Sequence, residues 1–392
     1  MGSIYRRASE VRMQLSPFTP GEVAREIPGR EAQLEEIGGL LTLPALHGRF
    51  AGRIRVDVGP RGVGKTSLLR RTREDARRLG LAPISVTAGN GALPAVIADE
   101  ARALMQTWGH PDGPDDWLES VSLTLGVPGL AQVTAEARPE APLPQATRAF
   151  RELIERTAQA ALDQGLAGIV LLIDELQDAD EHGLRTVAFA WQELQGSRTP
   201  AALVAAGLSH TADVVTAAVT SAERFRFRTM RDLEDHEVRE ALTRPAADLG
   251  VRWETSALQE VVARTQGYPY AVQLWGEAMW TAAGSPDPEG VLGADHVEPA
   301  GLVVAEDMAA LHRARWSKAS PKERELLAAM ARLGGEEVAR ADLAAALGTT
   351  SSALSGPRQS LLDKGIVQIA GRGLLSFTAP GFAEHVLSLR GR

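Results

Sequence analysis

A doubly wound α/β domain built on a parallel sheet, then a helical segment and a C-terminal winged helix-turn-helix, is the fold that three features of the sequence predict. The first is Ile54–Leu69, a short β-branched strand running into a glycine-rich loop and the first turns of a helix. The second is Gly168–Glu175, in which Ile169, Val170, Leu171, Leu172 and Ile173 follow one another and end in two acids. An unbroken apolar run of that length suits a strand covered on both faces. The third is the change at Asp235, beyond which the apolar pattern has a helical period until a short hairpin near the C-terminus.

The elements follow in order. Residues 1–28 are polar and irregular, with Pro17, Pro20 and Pro28 against any long helix. Leu34, Ile37, Leu40 and Leu41 mark a first helix. Ile54–Val58 is the strand before the loop, Ser67–Leu79 the helix after it, Leu81–Thr87 a second buried strand and Leu93–Trp108 a helix. Six prolines crowd residues 109–146, which read as an irregular insertion with a short helix or hairpin near Trp117–Leu125. Thr147–Gln164 and Leu184–Leu194 are helical, Ala201–Ala206 is another buried strand, and Arg226–Leu233 a fifth. Strands alternating with helices give the doubly wound sheet. Asp235 is the expected N-cap of a helix that Pro245 should end or kink near Thr243. Helices at Thr255–Thr265, Tyr270–Ala283 and Glu298–Trp316 follow, with a Gly/Pro linker at Gly284–Pro288. Ser320 caps Pro321–Leu333, and Arg340–Leu347, Ser351–Lys364 and a hairpin turning at Gly371–Gly373 complete three helices and a wing. The expected division is 1–234 (sheet domain), 235–297 (helical lid) and 298–392 (linker helix and winged helix).

Composition narrows the class. At 392 residues the chain has room for two or three domains, and 44% apolar with 23% charged residues is ordinary for a soluble globular protein. No run of about 18 apolar residues suggests a membrane span. The start, Met1 to Arg7, lacks the apolar core of a signal peptide, so a cytoplasmic protein is expected. The absence of cysteine excludes disulfides, thiolate catalysis and thiolate metal sites, and the eight histidines show no paired ligand spacing. Charge is uneven. From Lys318 to the end, ten Lys or Arg face seven Asp or Glu, so a net −8 overall leaves −11 on the remainder. Three of the four lysines lie in that mildly basic tail, a weak pointer to nucleic acid.

Gly59, Gly64, Lys65 and Thr66 fill G-x-x-x-x-G-K-[ST], the pattern of a phosphate-binding loop. The loop residues Gly59, Pro60, Arg61, Gly62, Val63, Gly64, Lys65, Thr66 and Ser67 can aim backbone N–H groups and a helix N-terminus at one polyphosphate. Lys65 would reach its β- and γ-phosphates, and the Thr66 hydroxyl would hold Mg²⁺. The acids ending the apolar run supply what the loop lacks: Asp174 for the metal shell and Glu175 as general base for a water. Ser209, after the next strand, is placed to sense the γ-phosphate, with His210 and Thr211 as neighbours that could substitute. In Glu223–Arg228 the alternation puts Arg224, Arg226 and Arg228 on one face and Phe225 and Phe227 on the other. Arg224 is the candidate finger for a nucleotide on an adjacent subunit.

Taken in order, Gly29-Arg30-Glu31, the phosphate loop, Ile173-Asp174-Glu175, Gly207-Leu208-Ser209, Glu223-Arg224-Phe225 and a helical lid, the chain resembles the AAA+ ATPase superfamily. With a C-terminal winged helix it is similar to origin-recognition-type initiators, and Gly267-Tyr268-Pro269 resembles the G-x-P motif of STAND signalling ATPases. The resemblance implies ATP and ADP as ligands, with Gly29, Arg30 and Pro269 near the adenine, and an ATP-dependent homo-oligomer. It implies a switch in which nucleotide state sets the lid. No arginine occurs between Arg264 and Arg313, where many AAA+ lids carry one, so hydrolysis is expected to be slow. In the winged helix, Arg358, Lys364 and Arg372 would meet double-stranded DNA, helped by Ser351, Ser352 and Ser360. The alternatives are a STAND-like signalling or defence ATPase whose winged helix is a protein-interaction or autoinhibitory element, and an ATP-binding adaptor with negligible turnover.

Overall fold

The structure is a computed structural model and describes residues 14–22, 27–109, 121, 124, 125, 141–220 and 222–389. The chain divides into two compact units: one holds the described residues up to Gly29 and Asp232–Ala314, the other Arg30–Arg231 and Arg315 onward. Among the described residues, no helix is long and apolar enough to cross a membrane.

The second unit is built on a five-stranded parallel sheet. Its chain order is α1 (Glu31–His47), β1 (Ile54–Val58), α2 (Lys65–Arg78), β2 (Leu81–Thr87), α3 (Leu93–Thr107), α4 (Leu143–Asp163), β3 (Gly168–Asp174), α5 (Glu181–Glu193), β4 (Ala201–Gly207), α6 (Thr211–Ala218) and β5 (Phe225–Thr229). The strands lie in the order β2-β3-β4-β1-β5. In register, Val56 sits beside Ala205 and Phe227, and Ile173 beside Val86 and Ala205. β1 and β4 are buried along their whole length, as strands with helices on both faces must be. All five strands being parallel, the loops after β1, β3 and β4 gather at one edge, where ligands of such sheets bind.

Two charges lie inside β1. Arg55 donates Nε and Nη2 to Asp57 at 2.8 Å each, and Nη1 to Glu36 of α1 at 2.6 Å. Glu36 also receives Arg228 of β5 at 2.8 Å, and chiefly through that bond its carboxyl is held at about 2. One carboxylate therefore ties α1 to β1 and β5. Phe225 and Phe227 stack at 6.1 Å, and Arg226 and Arg228 both reach Glu36, which bears out their alternation. Arg224 precedes β5, in the 3₁₀ turn Ala222–Arg224, and lines the same cavity as Glu36 and Arg226.

The insertion expected at 109–146 is shorter than read. Leu143 already begins α4, which proline favours at its first positions. Residues 110–120 and 126–140, with most of the Trp117–Leu125 element, lie outside the described residues.

The first unit contains α7 (Asp235–Asp248), α8 (Thr255–Thr265), α9 (Pro269–Ala282), the short pair β6 (Arg252–Trp253) and β7 (Val291–Leu292), and most of α10 (Val297–Lys318). Two expectations need correcting. The N-cap of α7 is Glu234, which forms a capping box with Glu237, and Asp235 is its first helical residue. Pro245 does not end the helix: α7 runs through it to Asp248 with Val238, Ala241, Leu242 and Ala246 buried. That burial outweighs the one lost hydrogen bond. Residues 14–22 pack in this unit and not on the sheet. Phe18 is 2% exposed against Gly276, and the Trp280 indole donates to the Gln14 carbonyl at 3.0 Å.

The C-terminal module comprises α11 (Pro321–Arg332), β8 (Val338–Ala339), α12 (Arg340–Ala346), α13 (Ser355–Asp363), β9 (Val367–Gly371), β10 (Leu374–Phe377) and α14 (Phe382–Ser388). Its sheet is antiparallel in the order β8-β10-β9, so the expected hairpin gains a third strand. α13 starts at Ser355, later than expected, because Arg340 takes the Ser351 carbonyl (2.8 Å) and the Ser355 hydroxyl (2.6 Å) into a turn.

Glu323 closes the capping box of α11 and meets Lys364 Nζ at 2.6 Å. Burial pushes its carboxyl up, but hydrogen bonds from Lys364, Ser360 and the Ser320 N–H outweigh that and hold it at about 2, against an ordinary 4.5. A carboxyl depressed on folding contributes fully above its unfolded value, and the contribution is lost as pH falls through the folded one. Glu323→Gln should therefore remove about 2 kcal/mol of module stability at neutral pH and flatten the acid loss between about 4.5 and about 2. Amide exchange of α11 against pH measures this; parallel curves for wild type and variant would show that the pair contributes nothing.

Candidate functional site

The phosphate loop leaves the C-terminal end of β1 between β4 and β5, pinned by Gly59 N–H to the Gly207 carbonyl (3.1 Å) and Met230 N–H to the Val58 carbonyl (2.7 Å). Gly62 and Gly64 take φ of +85° and +97°, which turns the chain into α2. From behind, the buried Arg30 guanidinium donates to the Val63 carbonyl (3.0 Å) and the Arg231 carbonyl (2.7 Å). The loop from Gly59 to Ser67, with Pro60, Arg61 and Val63 between its glycines, thus has a rigid frame.

Lys65 folds back into the loop and donates to the carbonyls of Gly59 (3.0 Å) and Pro60 (2.8 Å). Burial lowers its ammonium to about 8 from 10.5, while the charges of Glu175 and Asp174 oppose that shift. Thr66 Oγ1 donates to Asp174 Oδ2 at 2.7 Å, although their strands are separated by β4. The candidate metal pair is therefore already together. Among the described residues no cluster of three or more His, Asp or Glu could hold a metal. One hydroxyl and one carboxylate fit Mg²⁺, which keeps several waters and takes its other oxygens from phosphates. Thr66 and Asp174 would hold it, and the ion would neutralise phosphate charge.

Glu175 adopts a left-handed conformation, φ +51°, at the head of the 3₁₀ turn Leu176–Asp178. Such strain in a non-glycine residue persists where the surroundings impose it. Its N–H is bound by Asp174 Oδ1 at 2.9 Å, its Oε2 accepts from Gln177 Nε2 at 2.8 Å, and its Oε1 lies 3.7 Å from Arg61 Nη1. The buried Gln177 turns its carbonyl oxygen to the Leu208 N–H (2.8 Å) and the Thr211 hydroxyl (3.5 Å). Gln177 thereby joins the end of β3 to the end of β4, a role no motif in the sequence signals.

The other expected residues are more dispersed. Ser209 is half-buried in the turn after β4. His210, next to it, is buried and lies 3.2 Å from Asp363 of the C-terminal module. Arg224 sits at the far end of the sheet: the residue after it pairs with Ile54, the first of β1, whereas the phosphate loop follows Val58. About 13 Å of strand intervenes. Two of its guanidinium nitrogens are buried without a hydrogen-bond partner, and it lines a cavity of about 650 Å³ with Arg53, Arg226 and Gln195. Gly29 and Pro269 belong to the helical unit, where Gly29 abuts the Glu237 carboxylate and Pro269 opens α9. In the C-terminal module, Arg358 is half-buried, Lys364 is paired to Glu323, and Arg372 is exposed at the hairpin tip.

Residues 26–204 match the AAA ATPase domain family, and residues 309–386 match a domain of unknown function, DUF8462. No curated protein matches the sequence. Among solved structures the fold is similar to that of the ORC2 protein of Aeropyrum pernix in ADPNP and ADP complexes. That overlay has a TM-score of 0.56 and 14% identity, and covers 95% of this chain and 99% of the other. Weaker overlays include the RuvB Holliday junction branch migration motor of Thermotoga maritima (TM-score 0.44, 16% identity, 92% and 95% covered). The Aeropyrum pernix ORC1 protein in complex with DNA is similar at a TM-score of 0.44, with 19% identity and 95% of each chain covered.

Proposed function

We propose that this chain, an AAA+ P-loop ATPase, is a slow ATP/ADP-dependent switch that couples nucleotide state to its C-terminal module. The observation that carries the reading is the state of Glu175. Lys65, Thr66 and Asp174 stand around one phosphate loop, yet the Glu175 carboxylate is engaged by Gln177 and faces Arg61. Nucleotide can be held while the base that would activate water is occupied. The lid contributes no arginine between Arg264 and Arg313, which favours the same slow turnover. ATP, ADP and Mg²⁺ are the ligands this site suits.

The C-terminal module reads as a winged helix that meets double-stranded DNA, in the manner of an initiator, loader or transposition regulator. Arg372 at the exposed hairpin tip and Arg358 on α13 are its proposed phosphate contacts, with Lys364 available if it leaves Glu323. Replacing Arg358 and Arg372 together by alanine should weaken duplex binding about tenfold at low salt and reduce its salt slope by about 2. Fluorescence anisotropy across a salt series reads both. A second reading has one observation behind it: Lys364 is ion-paired and α13 turns Asp363 toward His210, as suits a module that contacts protein. ATP-driven assembly indifferent to duplex DNA, followed by light scattering, would favour that signalling role.

Arg224 supports assembly. It is at the far end of its own sheet, away from its own phosphate loop, with two guanidinium nitrogens that make no hydrogen bond, and from the cavity it lines it could turn to the nucleotide of an adjacent copy. Arg224→Ala should lower turnover about 100-fold or more in the assembled state while leaving ATP affinity unchanged. Loss of affinity in parallel with turnover would place Arg224 in a purely structural role.

A further inference from the structure

The turn that ends α13 is built to receive two residues of the nucleotide site. It closes as a helix C-cap, with Gly365 N–H on the Leu362 carbonyl (2.9 Å) and Ile366 N–H on the Leu361 carbonyl (3.0 Å). Gly365 has φ +63°, and a Cβ placed there would lie 2.6 Å from Arg61 Nε. Glycine thus lets the phosphate-loop arginine lie against the backbone, at the partly negative end of a helix. Two residues earlier, Asp363 Oδ1 stands 3.2 Å from His210 Nε2.

Both contacts lead to Glu175. One path is direct, since Arg61 Nη1 lies 3.7 Å from Glu175 Oε1. The other runs from His210 to its neighbour Thr211, whose hydroxyl contacts Gln177, which donates to Glu175 Oε2. Each oxygen of the candidate base is therefore reached from one turn of the C-terminal module by a different chain of contacts.

We propose that the 363–366 turn is a brake on hydrolysis, with Arg61 and His210 as its positioning residues. While the turn is seated, Arg61 and Gln177 hold the Glu175 carboxylate away from the water it would activate. Release of the turn frees the carboxylate without altering the loop that binds phosphate. The inference rests on ATP hydrolysis and not on DNA binding, so the two readings fail separately.

The test uses the full chain, with steady-state ATP turnover and amide exchange of residues 361–367 measured on Asp363→Lys and Gly365→Ala. Asp363 is 54% exposed, so its substitution spares the core. Both variants should accelerate exchange of the turn and raise kcat about fivefold, with KM within about twofold of wild type. If Gly365→Ala also strips protection from α11, the module has unfolded and Asp363→Lys alone decides. On an Arg61→Ala background the Asp363→Lys gain should shrink to about twofold or less, because one of the two paths is already cut. Accelerated exchange with unchanged or lower kcat, or a full fivefold gain on the Arg61→Ala background, overturns the proposal.

Discussion

Lys65→Ala is expected to weaken ATP binding by about 100-fold or more, the largest binding effect of any single substitution in this chain. The expectation follows from where the ammonium sits. Lys65 is 7% exposed and donates to two carbonyls of its own loop, Gly59 and Pro60, so its ammonium is held inside the loop that would receive a polyphosphate. Burial has already lowered its ammonium to about 8. A polyphosphate would reverse that shift by supplying the charge that the loop's carbonyls provide only as dipoles. Because the folded value lies below 10.5, the charged lysine costs folding stability at neutral pH, and that cost fades as pH rises through about 8. Alanine should therefore remove binding without lowering the unfolding midpoint. Equilibrium titration with a fluorescent ATP analogue, beside a thermal melt, separates the two quantities. Normal affinity in Lys65→Ala would mean that the Gly59–Ser67 loop is not the nucleotide site.

The parts of the site that were legible in the sequence are those fixed by local chain geometry. The G-x-x-x-x-G-K-[ST] spacing puts the lysine at the start of α2, and an apolar run that ends in Asp174-Glu175 brings both acids to the same edge of a parallel sheet. Neither inference needs knowledge of what lies across the sheet. Gln177 is the counter-example. Its place in Leu176–Asp178 is an ordinary polar position by sequence, and its importance comes from the end of β4, 31 residues away, whose Leu208 N–H it satisfies. His210 and Gly365 are the same kind of case, since their partners Asp363 and Arg61 are set only by tertiary packing.

The fold shows the same division. β1 was readable as a strand despite Arg55 and Asp57, but the reason it tolerates them, Glu36 on α1 and Arg228 on β5, is long-range. Pro245 is a helix breaker by its local chemistry, but α7 continues through it because the helix gains the burial of Ala246 beyond it. Phe18 lay in a stretch with no periodicity at all. Phe18 is buried in the helical core, and hydrogen bonds at Gln14 and Thr19 hold residues 14–22 beside it; isolated contacts of this kind leave no periodic pattern.

Glu175→Gln should cut turnover about 100-fold or more while leaving ATP affinity within about twofold of wild type, so that the chain accumulates in its ATP-bound form. The separation follows from the geometry. Glu175 contributes no atom to the phosphate loop, and Asp174, not Glu175, touches Thr66. Removing its charge takes away the proposed base and leaves the cradle and the Thr66–Asp174 pair. The glutamine amide can still meet Gln177, but it faces Arg61 with an uncharged group. The hold of Arg61 on that position then weakens, and if the 363–366 turn acts through Arg61, the Asp363→Lys gain in turnover should disappear in this background. Single-turnover hydrolysis and nucleotide-retention assays on the single and double variants read these effects. A Glu175→Gln chain that hydrolyses at the wild-type rate would move the general base elsewhere, with Asp178 the nearest other carboxylate on the same turn. Burial raises that carboxyl, and the Glu175 charge adds to the rise. Were Asp178 the base, neutralising Glu175 would lower its carboxyl, so the acid limb of the rate against pH should shift downward in Glu175→Gln. With Glu175 as the base no such limb survives.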